Sequence, residues 1–358
     1  MHPVSTILAS WYQINQRNLP WRENKLPYEI WLSEIIFQQT RINQGLPYYK
    51  AFIQAYPTLH DFAQASEDEI LKLWQGLGYY SRARNMLKAA KMVANSPSRT
   101  FPESYDELLK LPGIGPYTAA AIASIAFNQN KAVIDGNVNR LLSRLFNVSE
   151  PIDSSQGQKI ISTLAYELLP KKHPGNHNQA MMEFGSLQCK PGKPNCAQCD
   201  LQPHCLSHRM DTVAQRPVKA PKTARTKRIL NYLVIVNAHG NTYIEKRHKS
   251  GIWHNLYQFP LIEAKQDETD FYKMLNTGIY LDQDFVKIQQ IRKTKCYRHL
   301  LSHQDLSIYF WLVGVDSFQM RPKSNTFEVS FDKILKDLAI PIIIKRFLDD
   351  EAEGLGIQ

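Results

Sequence analysis

The chain of 358 residues lacks the features that mark a membrane or secreted protein. It contains no apolar run near the ~20 residues needed to span a bilayer. Its first residues, MHPVSTILASWYQ, carry neither a basic start nor a small-residue cleavage site. It also shows no internal repeat and no low-complexity tract. We therefore expect an intracellular globular protein without a membrane partner, built from about two domains of ~100–200 residues each.

Acidic residues are scarcer than basic ones. The chain has 33 Asp and Glu against 43 Lys and Arg, which gives a formal charge of +10 and a pI near 9.2. A surplus of basic residues of this size favours a polyanionic partner, although net charge gives no information about the fold.

Cysteine is scarce as well, and its placement is uneven. Four of the five cysteines follow the spacing C-x6-C-x2-C-x5-C: Cys189, Cys196, Cys199 and Cys205. Cysteines so clustered bind Zn²⁺ or an iron–sulfur cluster. Zinc sites usually show two C-x2-C pairs, so the single pair with longer arms favours a [4Fe-4S] cluster and leaves zinc as the alternative. Cys296 stands apart and is a core or surface thiol.

The character of the sequence changes along the chain. Residues 1–210 have apolar residues at helical spacing and predict an all-α domain. Residues 211–228 are basic and contain no acidic residue after Asp211, which is typical of an extended linker. Residues 229–358 predict a separate α+β domain, because β-branched and aromatic runs alternate with polar turns. The expected helices are 28–39, 68–74, 81–94, 104–110, 116–127, 137–146, 156–169 and 177–187, and the expected strands are 231–237, 242–247 and 306–314.

The stretch LPGIGPYTAA at 111–120 predicts a hairpin that opens a helix. Pro116 suits the first helical position, while Gly113 and Gly115 allow positive φ and a close approach to the backbone. Free N–H groups at a helix start attract anions, so a phosphate is the expected guest. An ordinary corner between two helices is the alternative from this stretch alone.

Several motifs together resemble a known family. The hairpin, the sequence VIDGNV at 133–138 and the cysteine spacing are similar to the helix-hairpin-helix DNA glycosylases of the endonuclease III superfamily. More narrowly, YEIWLSEIIFQQTR (28–41), GLGYYSRARN (76–85) and NQAMMEFG (178–185) look like MutY-type adenine DNA glycosylases. The resemblance covers most of residues 17–205.

This resemblance implies a domain plan and a setting. The all-α part would comprise a six-helix lobe at about 22–134 and an iron–sulfur lobe at about 1–21 and 135–210. The C-terminal domain would be Nudix-like and would recognise 8-oxoguanine. The family acts as a monomer on double-stranded DNA with A:8-oxoguanine or A:G mispairs, which implies a bacterial cytoplasmic protein beside the nucleoid or a nuclear one.

Two carboxylates are the expected centre of the chemistry. Breaking an N-glycosidic bond needs an acid on the leaving base and negative charge beside an oxocarbenium-like sugar. From the residues alone, Glu34 is either a solvated helix glutamate or an acid whose pKa is raised by apolar neighbours. The resemblance makes Glu34 the acid that protonates adenine and then activates water. It makes Asp135, which by itself is a good helix N-cap, the carboxylate that stabilises the sugar cation, with Asn137 close by.

Tyr117 occupies the position where the lyase branch of the superfamily has a lysine. A tyrosine cannot form a Schiff base, so the resemblance implies removal of the base without strand cleavage. The tyrosine hydroxyl would contact the catalytic carboxylate or the sugar cation, or the ring would simply pack at the hairpin.

Other residues are expected to hold the DNA. An adenine within a duplex is out of reach, so the base must be flipped out of the helix. The resemblance implies insertion into the duplex by Gln39 and Tyr79, with Leu77 beside them, and a pocket for adenine lined by Trp21, Arg22 and Glu183. Amides at Gly113 and Gly115 would grip phosphate without reading sequence.

The C-terminal part resembles a Nudix domain without its hydrolase motif. The metal-binding helix of the R-E-x-x-E-E kind is missing, and the nearest stretch, 267–276, lacks both the arginine and the glutamate pair. The family's loop for the oxidised base reads Phe-Ser-His, whereas this chain has Leu301, Ser302 and His303. Ser302 and His303 would hydrogen-bond 8-oxoguanine, and leucine at 301 removes aromatic packing from that contact.

These observations lead to one hypothesis and two competitors. The hypothesis is a monofunctional glycosylase that removes adenine opposite 8-oxoguanine, and opposite guanine, with a [4Fe-4S] cofactor. The competitors are an endonuclease III-like lyase acting on oxidised pyrimidines and a non-enzymatic redox protein that binds DNA.

Overall fold

The computed structural model describes residues 2–221, 224–264, 267, 269–270, 272, 288–315 and 326–357. The stretch 267–276, where a Nudix metal motif was sought, lies mostly outside these residues. Backbone contacts divide the chain into two compact units. The first comprises Met1–Ala65 and Asn85–Pro221, and the second comprises Ser66–Arg84 and Lys222–Gln358.

The first unit is helical, as expected. Its helices are α1 (Pro3–Asn15), α2 (Pro27–Ile36), α3 (Ile42–Ala55), α4 (Leu59–Gln64), most of α6 (Ser81–Ala94), α7 (Tyr105–Leu108), α8 (Pro116–Ile125), α9 (Gly136–Leu145), α10 (Ser155–Leu168), α11 (Pro174–Leu187) and α12 (Leu206–Arg209). Local sequence sets several of the starts. Pro116 is the first residue of α8, and the side chain of Asp135 caps α9 by accepting the backbone N–H of Val138.

The core of this unit gathers helices from both ends of its sequence. Apolar side chains of α1, α9, α10 and α11 form one buried cluster, against which Cys189, Cys199 and Cys205 pack. Helix α11 comes very close to α9, because a Cβ at Gly185 would lie 2.7 Å from the carbonyl oxygen of Asn137. Only glycine allows this approach, and it fixes α11 against the start of α9.

The second unit is built on a mixed sheet. It contains α5 (Glu67–Leu73), the strands β1 (Thr226–Val236), β2 (Thr242–Lys246), β3 (Tyr257–Gln258), β4 (Leu261–Ala264), β5 (Ile288–Lys293), β6 (Tyr297–Leu300), β7 (Gln304–Val315) and β8 (Thr326–Val329), and the helices α13 (Phe331–Asp337), α14 (Ile342–Asp350) and α15 (Ala352–Leu355). The main strand order is β3-β2-β1-β7-β5, with β4 on β1, β6 on β7 and β8 on β2. β1 and β7 run parallel from Thr226 beside Gln304 to Val236 beside Gly314.

Aromatic rings tie a helix to this sheet. Phe310 of β7 stacks on Phe347 of α14 with their ring centroids 3.9 Å apart, and Tyr232 of β1 stacks on the same Phe310 at 5.3 Å. β1 begins at Thr226, inside the basic stretch 211–228 that we expected to be a linker, because the ladder with β7 already starts there. Among the described residues no helix is both long and apolar enough to cross a membrane.

Candidate active site

A pocket of about 490 Å³ opens in the helical unit where α2 ends and α8 and α9 begin. It brings together Gln39, Tyr117, Asp135 and Asn137, which are far apart in sequence. Its lining residues are Phe37, Gln38, Gln39, Thr40, Arg41, Tyr117, Asp135, Gly136 and Asn137.

Glu34 is hydrogen-bonded to Tyr117, one of the residues that line this pocket. The hydroxyl of Tyr117 donates a hydrogen bond to Oε2 of Glu34 at 2.5 Å. Burial raises the pKa of Glu34 to about 7; the hydrogen bond from Tyr117 opposes this rise, and the negative charge of Asp135 adds to it. Burial, followed by the charge of Glu34, raises the pKa of Tyr117 well above its usual value, so the tyrosine stays protonated and acts as a donor. The glutamate is therefore an acid that is partly protonated near neutral pH.

Asp135 is held rigidly at the start of α9. One carboxylate oxygen accepts the N–H of Val138 at 2.7 Å, and the other accepts Nδ2 of Asn137 at 2.7 Å. Burial raises the pKa of Asp135, while these hydrogen bonds and the charge of Arg140 pull it back. Asp135 thus combines the N-cap role with a place at the pocket.

An arginine missed by the sequence analysis connects Asn137 to the cysteine region. Nη2 of Arg140 donates to Oδ1 of Asn137 at 2.9 Å, and Nε donates to the carbonyl of Cys189 at 2.8 Å. The i, i+3 spacing of Asn137 and Arg140 on one helix was the only available signal for the first contact. The second depends on how α9 packs.

Glu183 is buried, with 1% of its surface exposed, and is fully engaged. Its carboxylate accepts the backbone N–H, Nε and Nη2 of Arg17 at 2.9, 2.8 and 2.6 Å, and Nη1 and Nη2 of Arg22 at 3.2 and 2.9 Å. Burial by itself would raise the pKa of Glu183, but the hydrogen bonds from both arginines lower it to about 2. Sequence reasoning did not find Arg17. Glu183 therefore anchors the segment that carries Arg22 and the neighbouring Trp21.

Trp21 packs among aromatic rings. Its ring centroid lies 4.7 Å from that of Phe37 and 5.0 Å from that of Tyr49. Trp21 therefore packs against Phe37, which lines the pocket. Gln39 lies on the rim, exposed and with a positive φ of 58°.

The two glycines of the hairpin differ in what they require. Gly113 has a φ of +79°, and a Cβ there would lie 2.7 Å from Cβ of Asn85. Gly115 is the N-cap of α8 with an ordinary φ of −89°, and nothing lies within 4 Å of its Cβ position. Both glycines are exposed.

The four clustered cysteines line a second pocket in the same unit. Cys189, Cys196, Cys199 and Cys205 all face it. Nη1 of Arg144 lies 3.4 Å from Sγ of Cys189. Burial raises the pKa of Cys199 to about 11, so this sulfur is a thiol unless a cation binds it. In the part of the chain that the structure describes, no three His, Cys, Asp or Glu side chains form a group that could hold a metal ion.

The remaining predicted residues lie in the second unit. Ser302 and His303 are exposed in the turn between β6 and β7. The carbonyl of Leu301 accepts Nε of Arg225 at 2.9 Å, and the carbonyl of His303 accepts the N–H of Thr226 at 2.9 Å. The start of β1 therefore fixes the backbone of this turn.

Leu77 and Tyr79 also belong to the second unit but differ in exposure. Leu77 is buried, whereas Tyr79 is 50% exposed. The hydroxyl groups of Tyr79 and Ser302 are hydrogen-bonded to each other. The structure thus joins two residues that the sequence analysis assigned to different tasks.

Comparisons with known proteins agree with this arrangement. Residues 32–166 match the model of the HhH-GPD superfamily base excision DNA repair proteins, and residues 231–350 match that of the NUDIX domain. The adenine DNA glycosylase of Buchnera aphidicola subsp. Schizaphis graminum is 32% identical over 98% of this chain and 99% of its own length. The chain belongs to the adenine DNA glycosylase family. The human adenine DNA glycosylase is 40% identical over 55% of this chain and 38% of its own length.

Solved structures also resemble more than half of this chain. A thermostable thymine-DNA glycosylase matches with a TM-score of 0.53 and 27% identity, over 58% of this chain and 95% of that one. An endonuclease III bound non-covalently to DNA matches with a TM-score of 0.50 and 25% identity over the same shares. The resemblance stated from sequence, with its helical domain and its Nudix-like domain, is confirmed.

Proposed function

We propose that this protein, as a monomer, removes adenine paired with 8-oxoguanine or guanine in double-stranded DNA and leaves the strand uncut. Membership of the family makes it an adenine-specific DNA glycosylase of base excision repair. The observation that carries the finer proposal is the group formed by Glu34, Tyr117 and Asp135 at one pocket, with no lysine in the hairpin position.

Glu34 is assigned the role of general acid. A carboxyl with a pKa of about 7 is protonated in a substantial fraction of molecules at neutral pH, which suits proton transfer to a ring nitrogen of adenine. Once Glu34 has given up its proton, the hydroxyl of Tyr117 donates a hydrogen bond to the resulting carboxylate and so holds Glu34 in place. The same carboxylate then serves as the base that activates water.

Asp135 is assigned the role of stabilising the sugar cation. Departure of the base leaves positive charge at C1′, and a carboxylate beside it stabilises that charge. Asn137 and the N–H of Val138 keep Asp135 fixed, so no side chain has to reorganise as the charge develops.

Tyr117 accounts for the absence of lyase chemistry. Strand cleavage through a Schiff base needs an amine that attacks C1′. A phenol whose pKa is raised by burial supplies neither an amine nor a ready nucleophile. The backbone is therefore left intact at an abasic site.

The DNA contacts are assigned by position. The amides of the exposed Gly113 and Gly115 would bind phosphate. Gln39 and Tyr79 would replace the flipped adenine in the duplex, with the buried Leu77 two residues before Tyr79. Trp21 and Arg22 would shape the adenine pocket, with Glu183 holding Arg22. Ser302 and His303, exposed in their turn, would read 8-oxoguanine.

The cysteine pocket is assigned a [4Fe-4S] cluster. Four cysteine sulfurs that line one pocket are the number of protein ligands that such a cluster takes. Cys189, Cys196, Cys199 and Cys205 would hold it. When bound, the cluster would cross-link the segment 189–205. The base-removal steps described above use only the chain's own residues.

A labelled duplex with one adenine opposite 8-oxoguanine tests the proposal. After incubation, half of the sample is treated with hot alkali and half is not. Cleavage only after alkali is expected, because the base is lost and the backbone spared. Cleavage in both halves would move the protein to the lyase branch, and cleavage in neither would leave a DNA-binding protein.

Duplexes with adenine opposite guanine or thymine complete the comparison. Excision opposite 8-oxoguanine and guanine but not thymine is expected. Equal excision opposite all three would refute the assignment of Ser302 and His303.

A further inference from the structure

The loop that carries Leu77 and Tyr79 has an unusual backbone. Gly76, Gly78 and Tyr79 have positive φ values of 102°, 71° and 47°. Glycine adopts such values freely, but for a residue with a Cβ the left-handed region costs about 1–2 kcal/mol. Tyr79 therefore needs contacts elsewhere in the protein to hold it in this conformation.

Arg82 supplies those contacts from the first turn of α6. Its Nη2 donates to the carbonyls of Leu77 and Gly78, both at 3.3 Å. Its guanidinium lies over the ring of Trp74, 4.9 Å from the centroid, and 5.7 Å from the centroid of Tyr79. Nε1 of Trp74 donates to the same Gly78 carbonyl at 2.9 Å. Burial lowers the pKa of Arg82 to about 10, so the side chain remains charged at neutral pH.

The result is a tyrosine that is fixed at its backbone and presented at its ring. Tyr79 is half exposed although its main chain is bound, and its hydroxyl meets that of Ser302. The ring is thus available to contact a base, while Arg82 and Trp74 hold the backbone that carries it.

We propose that Arg82 is a positioning residue, which fixes the loop 76–80 so that Tyr79 enters the duplex in the orientation that base flipping requires. This inference rests on the proposed function. Arg82 acts through Tyr79, so it governs how often the adenine reaches the pocket and leaves the proton chemistry there unchanged.

Arginine is required for this task because of its shape. One planar guanidinium serves two neighbouring carbonyls and stacks on rings at the same time. A lysine in its place keeps the charge but offers a single ammonium group without a stacking plane. The proposal therefore expects Arg82→Lys to fail where a purely electrostatic role would let it succeed.

The test compares Arg82→Met, Arg82→Lys and the control Lys88→Met, which removes a charge from the exposed side of the same helix. Single-turnover excision of adenine opposite 8-oxoguanine is measured from pH 5.5 to 9, with the duplex Kd and the Tm of each variant. Both Arg82 variants are expected to lose about 10²-fold in rate, the scale of a misplaced group. The duplex Kd of the Arg82 variants should rise by no more than about threefold. The control Lys88→Met should show a rise in Kd of the same size. The midpoint of their pH profile should match that of the wild type.

Each outcome decides the matter. Rates of either Arg82 variant within about twofold of the wild type would overturn the proposal, and so would a shifted pH midpoint, a loss matched by Lys88→Met or a rate loss explained by a fall in Tm. If the wild-type protein itself removes no adenine, the proposed function fails instead. An active wild type beside wild-type-like Arg82 variants refutes the inference alone.

Discussion

Replacing Glu34 by glutamine distinguishes the role of this side chain as a general acid from its effect on the stability of the protein. The pKa of Glu34 rises from 4.5 to about 7 in the folded protein, because burial disfavours the charged carboxylate. A shift of this size corresponds to about 3.5 kcal/mol at ~1.4 kcal/mol per unit. Glu34 is only half-buried beside an open pocket, so water screening lowers the expected effect to about 1–2 kcal/mol.

The sign follows from the direction of the shift. A carboxyl with a raised folded pKa contributes stability that is present below its unfolded pKa of 4.5 and is lost as the pH rises through about 7. Glutamine stays neutral throughout and keeps an oxygen that can accept from Tyr117. Glu34→Gln is therefore expected to be more stable than the wild type at a pH of about 8.5, with a smaller advantage at about 5.5.

Urea unfolding at both pH values measures this difference, and Glu167→Gln, at an exposed position of α10, is the control. The same variant should bind the mispaired duplex but excise no adenine. A Glu34→Gln protein that is less stable than the wild type at the higher pH would refute the reasoning about burial. Retained turnover would refute the general-acid assignment.

Three further predictions concern residues of the helical unit. Tyr117→Lys should confer strand nicking without alkali, seen on a denaturing gel; no nicking would show that the hairpin cannot place an amine at C1′. Glu183→Gln should lower the free energy of unfolding by about 3 kcal/mol at neutral pH. Its deficit should shrink as the pH falls below 4.5 toward the pKa of about 2 that Arg17 and Arg22 impose on Glu183, and equal stability of the two proteins at neutral pH would contradict the buried ion pairs. Cys199→Ser should lower both the iron content per chain and the Tm of the helical unit, whereas a stable, active protein without iron would make the cluster dispensable.

The two carboxylates that we propose for catalysis could be found from sequence because each lies in a local pattern. Glu34 lies in a helix of apolar period, and Asp135 stands before a helix as an N-cap, so neighbours within a few residues carry the signal. Family resemblance then gave each of them a role. Their roles stay predictions, while the family and the two-part fold are confirmed.

Contacts between distant helices could not be found in this way. Arg17 lies 166 residues from Glu183, and only the packing of α1 beside α11 brings them together. Helix α3 was not among the expected helices, and it contains Pro47, which predicts a break when neighbours alone are considered. The bond between Tyr79 and Ser302 was equally invisible, because each residue had been interpreted within its own motif.

The close approach of α11 to α9 has a genetic consequence. Gly185 has no room for a Cβ beside Asn137, and Asn137 holds Asp135. Every missense change in the codon for Gly185 adds a Cβ, so each should displace the start of α9 and raise the rate of spontaneous mutation in a cell that depends on this protein. A saturation library at that codon, scored by mutation frequency, should therefore recover glycine alone as fully protective, although Gly185 itself touches no DNA in the reaction proposed above.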